Sequence, residues 1–187
     1  MRPRTAYAAY RARRSRSTKP SAFPIVPRWH APHPCAMNFP GRLYHAVPPW
    51  VAPDSWFHIR IRMDCTSRRP LHDAELAQKL LDSVAFYHAR RRWFAHLFLL
   101  MPDHAHALLA WPREASMSLT IGDWKRFHTS HADIAWQDGY FDHRIRNDSE
   151  FVEKATYIWR NPVVKGLCEE PESWPWVIEP WRKRQSE

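Results

Sequence analysis

Residues 93–111 read WFAHLFLLM, then Pro102 and Asp103, then HAHALLAW: two apolar runs of strand length separated by two turn residues. Runs this short, bounded by turn formers, suit strands better than helices. Two intervening residues leave room only for a tight antiparallel hairpin. A chain built around such a hairpin needs a sheet, and WFHIRIRM at 56–63 supplies another strand. There Phe57, Ile59, Ile61 and Met63 alternate with Trp56, His58, Arg60 and Arg62, the pattern of a half-buried strand with a basic outer face.

Helical spacing appears elsewhere. In DAELAQKLLDSVAFYHARRR, 73–92, Leu76, Leu80, Val84 and Tyr87 recur at the helical period, with Asp73 as N-cap and Arg90 to Arg92 at the C-terminal end. Residues 117–135 predict a second helix that Gly122 weakens, and YFDHRIR, 140–146, a fourth short strand. Asn147, Asp148 and Ser149 can cap a third helix over SEFVEKATYIWRN, which Pro162 helps to end. The order β-α-β-β-α-β-α predicts an α+β, ferredoxin-like antiparallel sheet with helices packed on one face.

The charge is unevenly spread. The net charge is +9, but residues 1–36 hold eight basic residues and no acid, so the remainder carries only +1. The core's own balance therefore does not by itself argue for nucleic acid, whereas a basic tail can hold phosphate nonspecifically. Residues 1–50, rich in Pro, Arg and Ser, predict an unstructured extension, and Met37 is an alternative start. Residues 51–168 predict the folded domain and 169–187 a Trp/Pro-rich tail. No apolar run approaches the ~18 residues of a membrane helix. The basic N-terminus lacks the apolar stretch of a secretory signal. Cys35, Cys65 and Cys168 are scattered, so neither a disulfide framework nor a zinc ribbon is suggested and a reducing cytoplasm is the default.

Two features carry chemistry. In a strand, residues two apart share a face, so His104 and His106 can converge on one metal ion while Ala105 faces the core. On the third helix, Tyr157 and Asn161 are one turn apart on one face: a hydroxyl that can attack phosphorus when activated, and an amide oxygen that can ligate a cation. Either feature alone also describes two polar-face histidines, or a packed tyrosine with an asparagine at a helix end.

Together, MPDHAHALLAW, YFDHRIRN and YIWRNPVVKGLCEEPESWPW resemble the HUH single-tyrosine transposases, in particular the REP-associated tyrosine transposases of the IS200-like group. The likeness runs from about Trp56 to Trp176. It implies an RRM-like nuclease domain in which His104 and His106 bind a divalent metal, Mg²⁺ or Mn²⁺, and Tyr157 is the nucleophile. Asn161 stands where many insertion-sequence members carry glutamine, so its reach is one methylene shorter. The implied partner is single-stranded or hairpin DNA, with no membrane, no small-molecule substrate, and a monomer or homodimer as the acting species. Attack by Tyr157 would leave a 5′-phosphotyrosine and a free 3′-OH, so rejoining needs no ATP. Lys125, Arg126, His143, Arg144 and Arg146 are candidate phosphate contacts. Two other classes compete: a noncatalytic single-strand binding module on the same fold, and a small zinc protein, which lacks a third ligand at convincing spacing. Tyr140 is a rival nucleophile without an amide partner four residues on.

Overall fold

A computed structural model describes residues 55–179, so the extension expected over 1–50 lies outside the described residues. The chain divides into two compact units. Their described parts are residues 55–145 with 176–179, and residues 146–175.

The larger unit comprises β1 (Phe57–Arg62), α1 (Ala74–Ala89), β2 (Phe94–Leu100), β3 (His104–Ala110), α2 (Met117–Ala132), β4 (Phe141–Arg144) and β5 (Val177–Ile178). The strands form one sheet in the order β4-β1-β3-β2-β5, every neighbouring pair antiparallel. The first four strands have the ferredoxin-like order: α1 and α2 each carry the chain past an intervening strand. The expected α+β class is the observed one. β5, which the sequence reading did not anticipate, pairs with β2 through Leu99 and Phe98. Two residues are too few for alternation to be visible in a sequence.

The alternation of β1 sets the core. Phe57, Ile59 and Ile61 lie on one face with Ala105, Ala107 and Leu109 of β3 and with Ala95, Phe98 and Leu100 of β2. Leu76, Leu80 and Val84 of α1 and Ile121 and Trp124 of α2 pack on that face. On β2 the register shifts between Ala95 and Leu97. The extra residue, His96, is a bulge that lets Ala95 and Phe98 face the core despite their odd separation. Aromatic rings fill the layer between sheet and helices: Trp124 lies 5.7 Å from Phe98, 6.0 Å from Trp93 and 5.4 Å from Trp136, centroid to centroid. Core packing thus accounts for much of the tryptophan content.

Helix ends follow local chemistry. Asp73 accepts from Leu76 N at 3.2 Å and starts α1. α1 stops at Ala89, three residues short of the expected end, because Arg91 turns left-handed at φ 53°. Ser116 caps α2, which runs unbroken through Gly122 to Ala132, where Asp133 adopts φ 53°.

In the smaller unit, α3 spans Asp148–Val164 and is followed by a 3₁₀ turn at Pro171–Ser173. Asn147 caps α3 by accepting from Glu150 N at 2.9 Å. Pro162 does not end the helix, contrary to expectation. It sits in the last turn, and the chain continues to Val164. The stop is Gly166 at φ 67°, with Gly166 N bonded to Val163 O and Leu167 N to Pro162 O. That pair of bonds is a Schellman end, which favours glycine at this position. Among the described residues no helix is long and apolar enough to cross a membrane.

Candidate active site

The β2–β3 hairpin closes with Met101 N bonded to His104 O at 2.8 Å, leaving Pro102 and Asp103 as the two-residue turn. β1 lies against β3 in a register that pairs Arg62 with His104, Arg60 with His106 and His58 with Leu108. Directly paired residues share a face, so His58, His104 and His106 all project from the side of the sheet opposite the α1/α2 core.

The three rings make a connected line. His104 Nε2 lies 3.0 Å from His106 Nε2, and His106 Nδ1 lies 3.1 Å from His58 Nε2. At the outer end, Asp103 Oδ1 is 2.6 Å from His104 Nδ1, and Arg62 Nη2 donates to Asp103 Oδ2 at 3.1 Å. A carboxylate only accepts, so His104 Nδ1 is the donor to Asp103, and Nε2 is the ring nitrogen turned towards His106. The His104 and Arg62 contacts hold the Asp103 carboxyl far below the usual carboxylate range, with the His104 bond the larger cause. His106 is 2% exposed. Burial first, then the neighbouring His104, His58 and Arg60, push its pKa down to about 2. It therefore stays neutral at any ordinary pH, the form in which imidazole ligates a metal.

The donor set fits a divalent ion. Two nitrogens each ~2.1 Å from a common ion and at right angles to each other stand about 3.0 Å apart, the Nε2–Nε2 distance found here. His104 also has the carboxylate support typical of a ligating histidine. Among the described residues, no group of three or more His, Cys, Asp or Glu side chains is placed to hold a metal ion. Among the described residues, any further protein ligand would therefore be of another type.

Tyr157 and Asn161 belong to the smaller unit, on α3. Tyr157 is 54% exposed, one of the more exposed large side chains among the described residues. Asn161 is buried, and its Nδ2 donates to Tyr157 O at 3.0 Å. The amide oxygen is thereby left as the part of the side chain able to ligate a cation. Tyr140 contrasts sharply: it is 9% exposed, packed in the core cluster, and burial together with the Asp142 charge pushes its hydroxyl pKa well up. A nucleophile that must lose its proton to attack a substrate phosphate is poorly served there.

The basic candidates differ in availability. Lys125 Nζ donates to Gln137 O at 2.6 Å and to Gly139 O at 2.8 Å, and burial lowers its pKa, so it ties down the segment after α2. Arg126 pairs with Asp123 but keeps its side chain largely in solvent. His143 is half-buried on β4, while Arg144 and Arg146 are exposed. The sequence reading missed His58, Asp103 and Arg62 as site residues. His58, assigned to an outer basic face, is 7% exposed. Asp103 was legible as the turn residue next to His104, but its second role needed the hairpin geometry.

No protein-family model matches the chain. A stretch of 81 residues, 42% of this chain and 49% of the relative, is 26% identical to the REP-associated tyrosine transposase of Escherichia coli (strain K12). The chain thus spans about half the length of that curated relative. A solved structure of a REP-associated tyrosine transposase bound to a REP hairpin superposes with a TM-score of 0.60 at 21% identity, over 72% of this chain and 82% of that one.

The chain resembles the REP-associated tyrosine transposases. The sequence likeness and the fold likeness to these transposases agree, and the fold they share is the one built above around the histidine-bearing hairpin.

Proposed function

We propose that this chain cuts and transfers single strands of hairpin-forming DNA through a covalent tyrosine intermediate, with a divalent metal ion at His104 and His106. The observation that carries this is the 3.0 Å approach of the two Nε2 atoms, braced at His104 by Asp103. The likeness to the solved transposase bound to a REP hairpin supports hairpin DNA as the substrate class, and residues 51–168 are assigned as the cutting domain.

In this mechanism His104 and His106 would hold Mg²⁺ or Mn²⁺, and the Asn161 amide oxygen is the group on α3 that would be able to add a ligand. The ion, when bound, neutralises charge on the scissile phosphate and polarises the phosphorus. Imidazole alone favours softer ions, so a hard divalent ion would also need oxygens of the substrate phosphate. Tyr157 Oη forms a bond to phosphorus and the bond from phosphorus to the 3′ oxygen breaks. The phenol loses its proton to solvent and the departing 3′ oxygen takes one up. The product is a 5′-phosphotyrosine and a free 3′-OH, and reversal by another 3′-OH rejoins strands without an added energy source. Arg144 and Arg146, exposed and basic, are assigned to the DNA backbone.

The test is incubation of the full chain with a labelled hairpin oligonucleotide and Mn²⁺, resolved on denaturing gels. Nicking with a protein-linked product that EDTA abolishes is expected. Hairpin binding without any cleavage or adduct would overturn the proposal in favour of a noncatalytic binding module.

A further inference from the structure

We propose that His58 is a positioning residue that sets which nitrogen of His106 carries the proton, and so controls whether the histidine pair can take up a metal ion. This rests on the assignment of His104 and His106 as the ion's ligands.

The geometry leaves His106 one choice. In a neutral His104, the bond to Asp103 puts the proton on Nδ1 and leaves a lone pair on Nε2. If His106 carries its proton on Nε2, it donates to His104 across the 3.0 Å gap, and its Nδ1 accepts from His58 Nε2 at 3.1 Å. Each contact from His58 through His106 and His104 to Asp103 is then a hydrogen bond pointing the same way. In that arrangement both Nε2 lone pairs are occupied or blocked. If instead His106 carries its proton on Nδ1, it donates to His58 Nε2, and the two Nε2 lone pairs face each other. That is unfavourable unless a cation lies between them, and the spacing suits one.

Metal uptake therefore requires two protons to change place, one on His106 and one on His58, without any change in net charge. Only a partner able to act as donor in one state and acceptor in the other can serve both. Imidazole does so by exchanging tautomers, and the packing around His58 keeps its ring in position for this. The residue is buried, its ring plane lies 27° from that of His106, and Phe141 packs edge-on at 5.8 Å. Its Nε2 faces the nitrogen of His106 remote from His104, so His58 acts on the ion through His106 and not as a ligand.

The test uses the full chain labelled with ¹⁵N-histidine, with Zn²⁺ as a diamagnetic probe, read by NMR correlation of ring nitrogens and by Zn²⁺ titration. Without metal, His106 is expected as the Nε2–H tautomer. With Zn²⁺, His106 and His58 should both appear as Nδ1–H. His58→Phe keeps a ring but removes the acceptor, and should weaken Zn²⁺ binding by about 10- to 100-fold. His58→Gln, whose amide oxygen can accept from His106 Nδ1, should restore most of it. Unchanged affinity in His58→Phe, or a His106 that keeps its Nε2 proton with Zn²⁺ bound, would overturn the proposal. The His104→Ala variant separates the two levels: if it binds Zn²⁺ as tightly as the parent chain, the ligand assignment itself fails. If His58→Phe does not fold, the tautomer readout on the parent chain decides alone.

Discussion

His58 and His106 stand 48 positions apart in the chain, yet His58 Nε2 lies 3.1 Å from His106 Nδ1. The antiparallel register of β1 and β3 makes this contact: His58 pairs with Leu108 and reaches diagonally to the side chain two residues away. The histidine pair visible in the sequence is thus the middle of a longer polar line that runs from Arg62 through Asp103, His104 and His106 to His58.

Asp103→Asn should leave the hairpin intact, since asparagine is equally at home in a turn. It should nonetheless weaken divalent-ion binding by about 10- to 100-fold, as loss of a carboxylate behind a ligating histidine does. Calorimetric titration with Mn²⁺ in the presence of hairpin DNA checks this. Unchanged affinity would show that Asp103 serves the turn alone.

Tyr157→Phe removes only the hydroxyl of a residue that is 54% exposed, so folding and hairpin binding should persist while nicking and the covalent adduct fall by several orders of magnitude. Tyr140→Phe should still cut. An adduct that survives in Tyr157→Phe and vanishes in Tyr140→Phe would reverse the assignment.

Acid should destabilise the larger unit through His128. This residue is 1% exposed, its Nε2 lies 2.8 Å from Ser83 Oγ, and burial lowers its pKa to about 4. Unfolded histidine titrates near 6.5. Above about 6.5 the ring is neutral in both states and its contribution is fully present. As the pH falls towards about 4 the unfolded chain binds a proton that the folded chain does not, and stability drops. At 1.36 kcal/mol per pKa unit the loss from this group approaches ~3 kcal/mol. Between pH 7 and 4.5 the urea midpoint should fall further for the parent chain than for His128→Gln. Parallel losses in both would exclude His128 as the group responsible.

The two helix glycines should respond to alanine with opposite signs. Gly166 has open space around a built Cβ but sits at φ 67°, so Gly166→Ala should cost about 1 kcal/mol from backbone conformation alone. Gly122 lies inside α2, and a Cβ there meets only the far end of the Arg126 side chain at 3.4 Å. Gly122→Ala should therefore stabilise by about 0.5–1 kcal/mol. Urea unfolding of both variants reads the signs directly.

The shared face of His104 and His106 was legible because two-residue periodicity is a property of the strand itself. The β1 alternation was legible for the same reason. His58 was not, because its burial depends on which strand lies beside β1, and strand order is set by packing far along the chain. The end of α3 illustrates a local miss. Pro162 looked like the stop, but a proline in the last turn disturbs little of the helix that follows, and the left-handed Gly166 four residues later does the terminating. Tyr157 and Asn161 were legible as a one-turn pair, and the bond from Asn161 Nδ2 to Tyr157 O confirms their proximity on α3.

The two-residue turn at Pro102 and Asp103 has a kinetic consequence. Asp103, His104 and His106 fall within four consecutive positions of one hairpin, the kind of element that forms in about 1–10 μs without help from the rest of the chain. His58 joins only after a loop of some fifty residues has closed, a slower event because such non-local contacts bear a larger entropic barrier. On the assignments proposed above, the chain would therefore have its imidazole pair during folding before the group that would govern their protons, and a newly made or partly opened molecule would meet metal ions with that control not yet in place.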